Sequence, residues 1–347
     1  MTDILGLTKE QIAEYIEAIG EPKYRASSIF TWLHQKQVDC FEEMSDLPKE
    51  LRKKLKETIY IGSVSIANRQ LSADGTEKFL FKLHDGNYVE SVAMSYRYGI
   101  TVCISTQVGC RMGCSFCASS LGGLVRNLTV SEMLLQVYMI GRIRGVRISN
   151  IVLMGIGEPF DNLCNVLSFC DIISDDAGYG IGKRAITIST CGLVEGILKL
   201  TKENMKYTLS VSLHAPTDLK RSSLMPINNR YNIATLIESC RNYQQKTKRR
   251  ISFEYAVISG VNNSNEDAKA LSLLLQGMNA HVNLIAVNSV RGSGYASNAS
   301  EVEIFRAKLE KLGINVTARR TLGLDIDAAC GQLRRSKVDS CERETLQ

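Results

Sequence analysis

Apolar positions recur with a helical period through the first sixty residues. Ile12, Tyr15, Ile16 and Ile19 form one stripe, opened by a capping-box pair, Thr8 and Gln11, and closed by Gly20. A second helix is predicted over 23–37, burying Ile29, Phe30, Trp32 and Leu33, and a third within 49–59. From 61 to 106 the period changes to that of strands. Asp74-Gly75 and Asp85-Gly86 are turn signals, and 78–83 alternates between them as a half-buried strand should. Glu90 falls in a strand, where a carboxylate ordinarily faces solvent. Beyond 127 helices and apolar strands alternate. Strands are predicted at 148–154, 185–189, 209–213, 251–258, 283–287 and 315–319. Helices are predicted at 128–141, 162–174, 233–247, 266–276 and 301–312, the first opened by Thr129 with Glu132 three places on. Such alternation implies parallel strands joined by right-handed crossovers. About six βα units follow the strand at 103, which predicts an α/β fold built on an open partial barrel, not an eight-unit closed one. The expected division is a helical domain (1–60), a β-rich hairpin extension (61–102), the partial barrel (103–333) and a polar tail (334–347).

Composition changes little in this picture. The 347 residues are 44% hydrophobic and 22% charged, ordinary for a globular chain. No apolar run is long enough to cross a membrane, and the N-terminus lacks the layout of a signal peptide. Eleven Cys without an export signal point to a reducing cytoplasm and to metal-binding or catalytic thiols, not to a disulfide scaffold. The net charge of +6 favours a polyanionic partner only weakly. The basic run 49–56 reads from its charges as a solvated helix face. With Lys248-Arg249-Arg250 and Arg319-Arg320 it offers candidate phosphate contacts.

The chemistry concentrates in 103–117, C-I-S-T-Q-V-G-C-R-M-G-C-S-F-C. Cys110, Cys114 and Cys117 have the spacing C-x3-C-x2-C. Three thiolates on one short loop suit an iron–sulfur cluster with one iron left open for a ligand. Gly109 and Gly113 let the loop fold tightly, and Phe116 can shield the metal from water. A zinc knuckle with Cys103 as fourth ligand, or chance clustering, are the alternatives.

Polar residues also sit at the predicted C-terminal strand ends, where folds of this class place their sites. They are Gly157-Glu158, Ser189, Ser212, His214 and Asn288; taken singly each reads equally as a satisfied turn residue, and their repeated placement after apolar strands is what points to a ligand. Near the C-terminus, Cys330 stands between small residues and Gly331, which leaves its thiol room to approach another group. A buried small hydrophobe is the other reading of that cysteine.

Taken together, the cysteine loop, L-G-G-L-V-R-N-L-T, G-I-G-E-P, S-T-C-G-L, S-L-H-A-P, R-S-S-L-M-P-I-N and D-I-D-A-A-C-G-Q-L resemble the RlmN/Cfr family of radical S-adenosylmethionine (SAM) RNA methyltransferases. The L-G-G-L-V-R-N-L-T and S-L-H-A-P segments are similar to the RlmN branch more than to the Cfr branch. Ile156 replaces a usual Met, and Ser289 stands where Pro often follows; neither removes a polar ligand.

The resemblance implies roles residue by residue. Cys110, Cys114 and Cys117 would hold a 4Fe-4S cluster. Gly157, Glu158, Ser189, Ser212, Leu213, His214 and Asn288 would bind SAM. Cys330 would carry the methyl group, Cys103 would be its partner thiol and Glu90 the proton acceptor. Two SAM would be used per turnover: one methylates Cys330, and a second yields an adenosyl radical that takes hydrogen from that methyl. The carbon radical adds to the base, Glu90 removes the ring proton, and Cys103 attacks Cys330 to release product and form a disulfide. The implied substrates are adenosine carbon 2 in 23S rRNA, near the peptidyl-transferase centre, and in tRNA, beside the anticodon. The base must be flipped or taken from a loop to reach a barrel interior. Carbon 8 of the same rRNA base, as in the Cfr branch, is the near alternative. A protein-activating radical enzyme and a zinc-stapled RNA-binding module are the others. A flavodoxin-like reductant, a monomeric state and a cytoplasmic location are expected.

Overall fold

The computed structural model describes residues 1–287, 294–320, 322–323 and 325–326. Thr8 accepts the Gln11 N–H at 3.3 Å while its own N–H donates to Gln11 Oε1 at 2.9 Å, so the predicted capping box starts Lys9–Ala18 (α1). Arg25–His34 (α2) and Lys49–Thr58 (α3) follow. Their inward residues Ile12, Ile16, Ile29, Phe30, Leu33, Leu51 and Leu55 are buried in the main core. A short parallel pair, Thr2–Asp3 (β1) with Ile59–Tyr60 (β2), joins the two ends of this helical module. The basic face of α3 is tied partly to the module itself: Arg52 donates to the Glu42 carbonyl at 2.6 Å, and Lys56 pairs with Glu42 at 2.6 Å. That matches a solvated helix face.

One ten-stranded sheet organises the rest. Ser65–Leu71 (β3), Glu77–Lys82 (β4), Tyr88–Tyr96 (β5) and Gly99–Cys103 (β6) are consecutive antiparallel neighbours. Gln107–Gly109 (β7) and Leu124–Asn127 (β8) form a separate two-stranded ribbon around the cysteine loop. Val130–Arg144 (α4) is capped by Thr129 and Glu132 as expected, and leads to Ile148–Leu153 (β9), parallel to β6. Leu163–Ser174 (α5), Ile186–Thr190 (β10), Val194–Lys202 (α6) and Thr208–Ser212 (β11) continue the alternation. Asp218–Leu224 (α7), Ile233–Thr247 (α8), Ile251–Val257 (β12), Asn265–Leu275 (α9), Ala280–Ala286 (β13), Ala299–Lys311 (α10) and Val316–Ala318 (β14) complete it. Within the sheet the order from β6 through β9 to β14 follows the chain, and each of these pairings is parallel. Among the described residues β3 and β14 are the two edges and do not pair with each other, so the barrel is open, with six βα units after β6. The α/β partial barrel read from the sequence is the fold observed.

Two expectations need correction. The strand read as half-buried at 78–83 is buried on both faces from Glu77 to Phe81, and Lys78 is 0% exposed. Phe79 and Phe81 point into the main core; burying each contributes ~2–3 kcal/mol. Glu90, placed by default at a solvent-facing position, is likewise buried, with Lys78 Nζ 3.0 Å from its carboxylate. A strand carboxylate faces water unless a cation is buried beside it, and here one is. The helices α6 and α7 were not anticipated; α6 shows why. Its stripe of Val194, Ile197 and Leu200 is short and is interrupted by Gly196, a poor helix former.

Candidate functional site

The cysteine loop is held from both sides. The Cys110 N–H donates to the Gly123 carbonyl at 2.8 Å, and Ser120 Oγ donates to the carbonyls of Cys114 (3.0 Å) and Cys117 (2.8 Å). Gly109 and Gly113 take φ of +79° and +70°, the left-handed turns that the tight loop requires. The three cysteines line one cavity of about 390 Å³, within the range of small-molecule sites. Burial pushes the Cys110 thiol up to about 12, with Cys117 and Glu158 adding to the rise; Cys114 is raised further, by burial, Cys117 and Cys110. Crowded thiols of this kind disfavour the thiolate until a cation is bound, and coordination then removes the proton. Among the described residues no three His, Cys, Asp or Glu side chains converge as a single ion would need. Three thiols around one cavity fit a cluster that leaves one iron open for a ligand. Phe116 is half-buried and packs edge-on against the His214 ring, centroids 4.9 Å apart.

The opposite wall comes from the strand ends. After β9 the chain turns through Gly155-Ile156-Gly157. Gly157 has φ of +109°, and a Cβ there would lie 2.6 Å from the Gln107 side chain, so no other residue fits. Gln107 accepts the Glu158 N–H at 2.8 Å and so ties this turn to the loop strand β7. The Glu158 carboxylate is buried and accepts the N–H of Phe160 (3.1 Å) and of Cys191 (2.7 Å). Burial raises its pKa, and those hydrogen bonds oppose the rise. A buried carboxylate of this kind attracts a cationic amine.

Ser189 and Ser212, near or at the ends of β10 and β11, line the same cavity, as does His214. His214 sits at φ +56°, and its Nδ1 accepts the Ala256 N–H at 2.9 Å, which leaves the proton on Nε2. Burial, aided by the charge of Arg221, holds its pKa down to about 3, so the ring is a neutral donor at physiological pH. Leu213 packs into the main core; its N–H donates to the Glu254 carbonyl at 3.0 Å.

Cys103 ends β6, in register with Val92 and Val152, and lines the cavity shared by Cys110, Cys114 and Cys117. Glu90 is not at the cavity wall, but it lies on the face of β5 that carries Val92 and Met94, which are. Asn288 and Cys330 lie outside the described residues. The chain leading toward Cys330 is described: Arg319, Arg320 and Leu322 line the cavity. Gly323 N–H then donates to Asp74 at 2.9 Å, and Asp325 accepts from Ser72 Oγ (2.5 Å) and Ala73 N–H (3.0 Å).

One residue that carries the site was not read as such. Arg221, in α7, is 1% exposed and donates to the carbonyls of Cys191 (2.6 Å), Ser212 (3.1 Å) and Leu213 (3.2 Å) and to Asn228 Oδ1 (2.9 Å). It fastens the ends of β10 and β11 to each other. Nothing local distinguishes it from an exposed helix arginine except its place in the R-S-S-L-M-P-I-N stretch.

Comparison with known proteins agrees with this geometry. The model of the ribosomal RNA large subunit methyltransferase N-terminal domain matches residues 2–61, and that of the radical SAM superfamily matches residues 104–271. The chain is 49% identical to the probable dual-specificity RNA methyltransferase RlmN of Lachnospira eligens, over 99% of this chain and 98% of that one. It is 50% identical to the protein of that name from Thermoanaerobacter pseudethanolicus, over 96% and 98%. The crystal structure of a radical SAM methyltransferase from Sphaerobacter thermophilus superposes with a TM-score of 0.90 at 41% identity, covering 96% of this chain and 99% of that one. The chain therefore belongs to the RlmN family of radical SAM methyltransferases, enzymes of a superfamily that uses a 4Fe-4S cluster and SAM.

Proposed function

We propose that this enzyme methylates carbon 2 of adenosine in RNA, with both 23S rRNA and tRNA as substrates, and that Cys330 and Cys103 are its working thiols. The observation that carries the reading is the placement of Cys103 on the wall of the cavity that the loop cysteines line. The segment before Cys330 supports it. Asp325 is bonded to Ser72 and Ala73, beside the cavity residue Thr76, and five residues of chain reach at most about 18 Å. Both thiols are thus assigned to one reaction space.

In this reading Cys110, Cys114 and Cys117 hold the cluster, which when bound supplies the electron that cleaves SAM. The chain's own groups bind and orient. Glu158 receives the methionyl amine, which its buried carboxylate attracts as a cation. Ser189 and Ser212 offer hydroxyls to the ribose or carboxylate, and His214 donates from Nε2. Gly157 lets its backbone approach SAM closely. Cys330, as thiolate, accepts a methyl group from one SAM; the C–S bond to Cys330 forms as the sulfonium C–S bond breaks. The tether would be the bond between the Cys330 methyl carbon and ring carbon 2, formed once that methyl has given a hydrogen atom to the radical that cleaved SAM supplies; as the adduct gives one electron back to the cluster, Glu90 is the group assigned to take the ring proton. Cys103 then attacks the Cys330 sulfur, forming the disulfide, and the bonding pair returns to carbon as the product leaves. The disulfide must be reduced by an external thiol before the next turnover, which suits a cytoplasmic enzyme. A flavodoxin-like protein is assigned as electron donor, and the enzyme is assigned as a monomer.

The test is anaerobic reconstitution with SAM and fragments of 23S rRNA or tRNA, followed by nucleoside analysis. 2-Methyladenosine is expected; 8-methyladenosine would replace the carbon-2 reading with the Cfr-like one. Cys103→Ala should trap a covalent protein–RNA adduct, and free product from that variant would refute the resolving role.

A further inference from the structure

The hairpin between β5 and β6 presents an aromatic pair that the core does not use. Tyr96 and Tyr98 stack with ring centroids 5.1 Å apart and planes 5° from parallel, and they are 37% and 66% exposed. Large exposed aromatics cost solvation without contributing to the core, and two of them stacked together present a flat, rigid apolar surface. Their place ties them to the cavity. The Tyr96 hydroxyl donates to Met94 Sδ at 3.6 Å, and Arg319 Nη2 reaches that sulfur at 3.8 Å. Met94, Arg319 and Arg320 all line the cavity. Arg97, between the tyrosines, and Arg320 are exposed. An aromatic face flanked by arginines is the combination that binds single-stranded nucleic acid: bases stack on the rings, and phosphates meet the guanidinium groups.

We propose that Tyr96 and Tyr98, with Arg97 and Arg320 beside them, form a stacking platform for an unpaired RNA base flanking the target adenosine. The inference rests on the RNA methyltransferase reading above and adds where the strand is gripped once the target leaves its stack. A base taken out of a helix leaves neighbours with an uncovered face, and Tyr98, the more exposed ring, supplies a replacement surface. Stacking is indifferent to base identity, so one platform can serve two RNAs of different sequence.

The test uses the full chain and a fluorescein-labelled RNA stem-loop with the target adenosine in its loop, read by anisotropy. Tyr98→Ala is expected to raise Kd about 10-fold, the size of one lost base–aromatic stack. Tyr98→Trp, which keeps a stacking face, should stay within about twofold of the parent. Salt dependence separates the two contributions: Arg97→Ala should flatten the slope of log Kd against log salt by about 0.7, and Tyr98→Ala should leave it unchanged. Parental affinity in Tyr98→Ala, or no recovery in Tyr98→Trp, overturns the platform while leaving the methyltransferase reading intact. A parent protein that binds no RNA overturns both. Unaltered RNA affinity with slower reduction of the cluster in Tyr98→Ala would assign the surface to a protein partner and equally overturn the proposal.

Discussion

Lys78 Nζ lies 3.0 Å from Glu90 Oε2, and both side chains are sealed inside the sheet, 0% and 4% exposed. The register explains the meeting. Leu80 pairs with Glu90 and Lys78 with Val92, so the two charges sit diagonally on one face of neighbouring strands. That face of β5 also carries the cavity residues Val92 and Met94. The pair ties β4 to β5 within the antiparallel extension, at the position assigned to the proton acceptor.

Removing one member should therefore be costly. Lys78→Met takes the ammonium from beside a buried carboxylate and is expected to destabilise the fold by about 3 kcal/mol. The double variant Lys78→Met/Glu90→Gln should lose less than the sum of the two singles. Urea denaturation of all four proteins checks this, and strict additivity would show that the pair is not coupled.

The cysteine loop should fail as a unit. Cys110→Ala, Cys114→Ala or Cys117→Ala each leaves two thiolates where three must hold a cluster that needs cysteine ligation. Iron after anaerobic reconstitution should fall from about four per chain toward zero in each variant, by chemical iron assay. Full iron loading in any one would exclude that residue as a ligand.

Arg221 acts through backbone, and its loss should show in two readouts. Arg221→Met leaves three buried carbonyls, of Cys191, Ser212 and Leu213, without their shared donor. A stability loss of about 3 kcal/mol is expected. SAM affinity should fall as well, because Ser212 and the turn at Cys191 are no longer fixed to each other. A destabilised variant with parental SAM affinity in equilibrium dialysis would make Arg221 a purely structural residue.

His34 gives the fold a pH dependence. Its ring is 0% exposed, with Nδ1 3.0 Å from the Tyr138 hydroxyl, and its Nε2 has no hydrogen-bond partner among the described residues. Burial holds its pKa down to about 3, against an ordinary 6.5. Below pH 6.5 the unfolded chain takes up a proton that the folded chain refuses. Stability present at neutral pH is thus lost as pH falls, by ~1.4 kcal/mol per unit down toward the folded value. His34→Gln stays neutral at any pH. Between pH 7 and pH 5 the parent should lose about 2 kcal/mol more than this variant, by urea midpoints. Equal losses would show that His34 is not the group being protonated.

Much of the molecule was legible before any coordinates. Hydrophobic period located the barrel strands and all of its helices except α6 and α7, because a buried face must repeat with the geometry of its element. The capping pairs at Thr8 and Thr129 were readable because the bonds span only three residues. Wherever a residue's environment is set by a distant segment, the reading failed or was silent. Glu90 read as a surface carboxylate because its partner lies twelve positions back, on another strand. Arg221 was given no role because its acceptors lie on β11 and in the turn after β10. The Tyr96–Tyr98 stack was invisible because exposure is a property of what does not cover a side chain.

By itself, then, the order of residues determined the kind of chemistry this protein holds: three thiols at cluster spacing and polar groups at the C-terminal ends of apolar strands. Covalent spacing and periodicity are local quantities, and a chain carries them in any conformation. Only the tertiary structure decided which groups share a space. It set Cys103 against the cavity of the loop cysteines, seated Glu90 on Lys78 and locked two strand ends through Arg221. Those outcomes depend on sheet register and on the opening of the barrel, which arise when strands far apart in sequence pair and exclude water together.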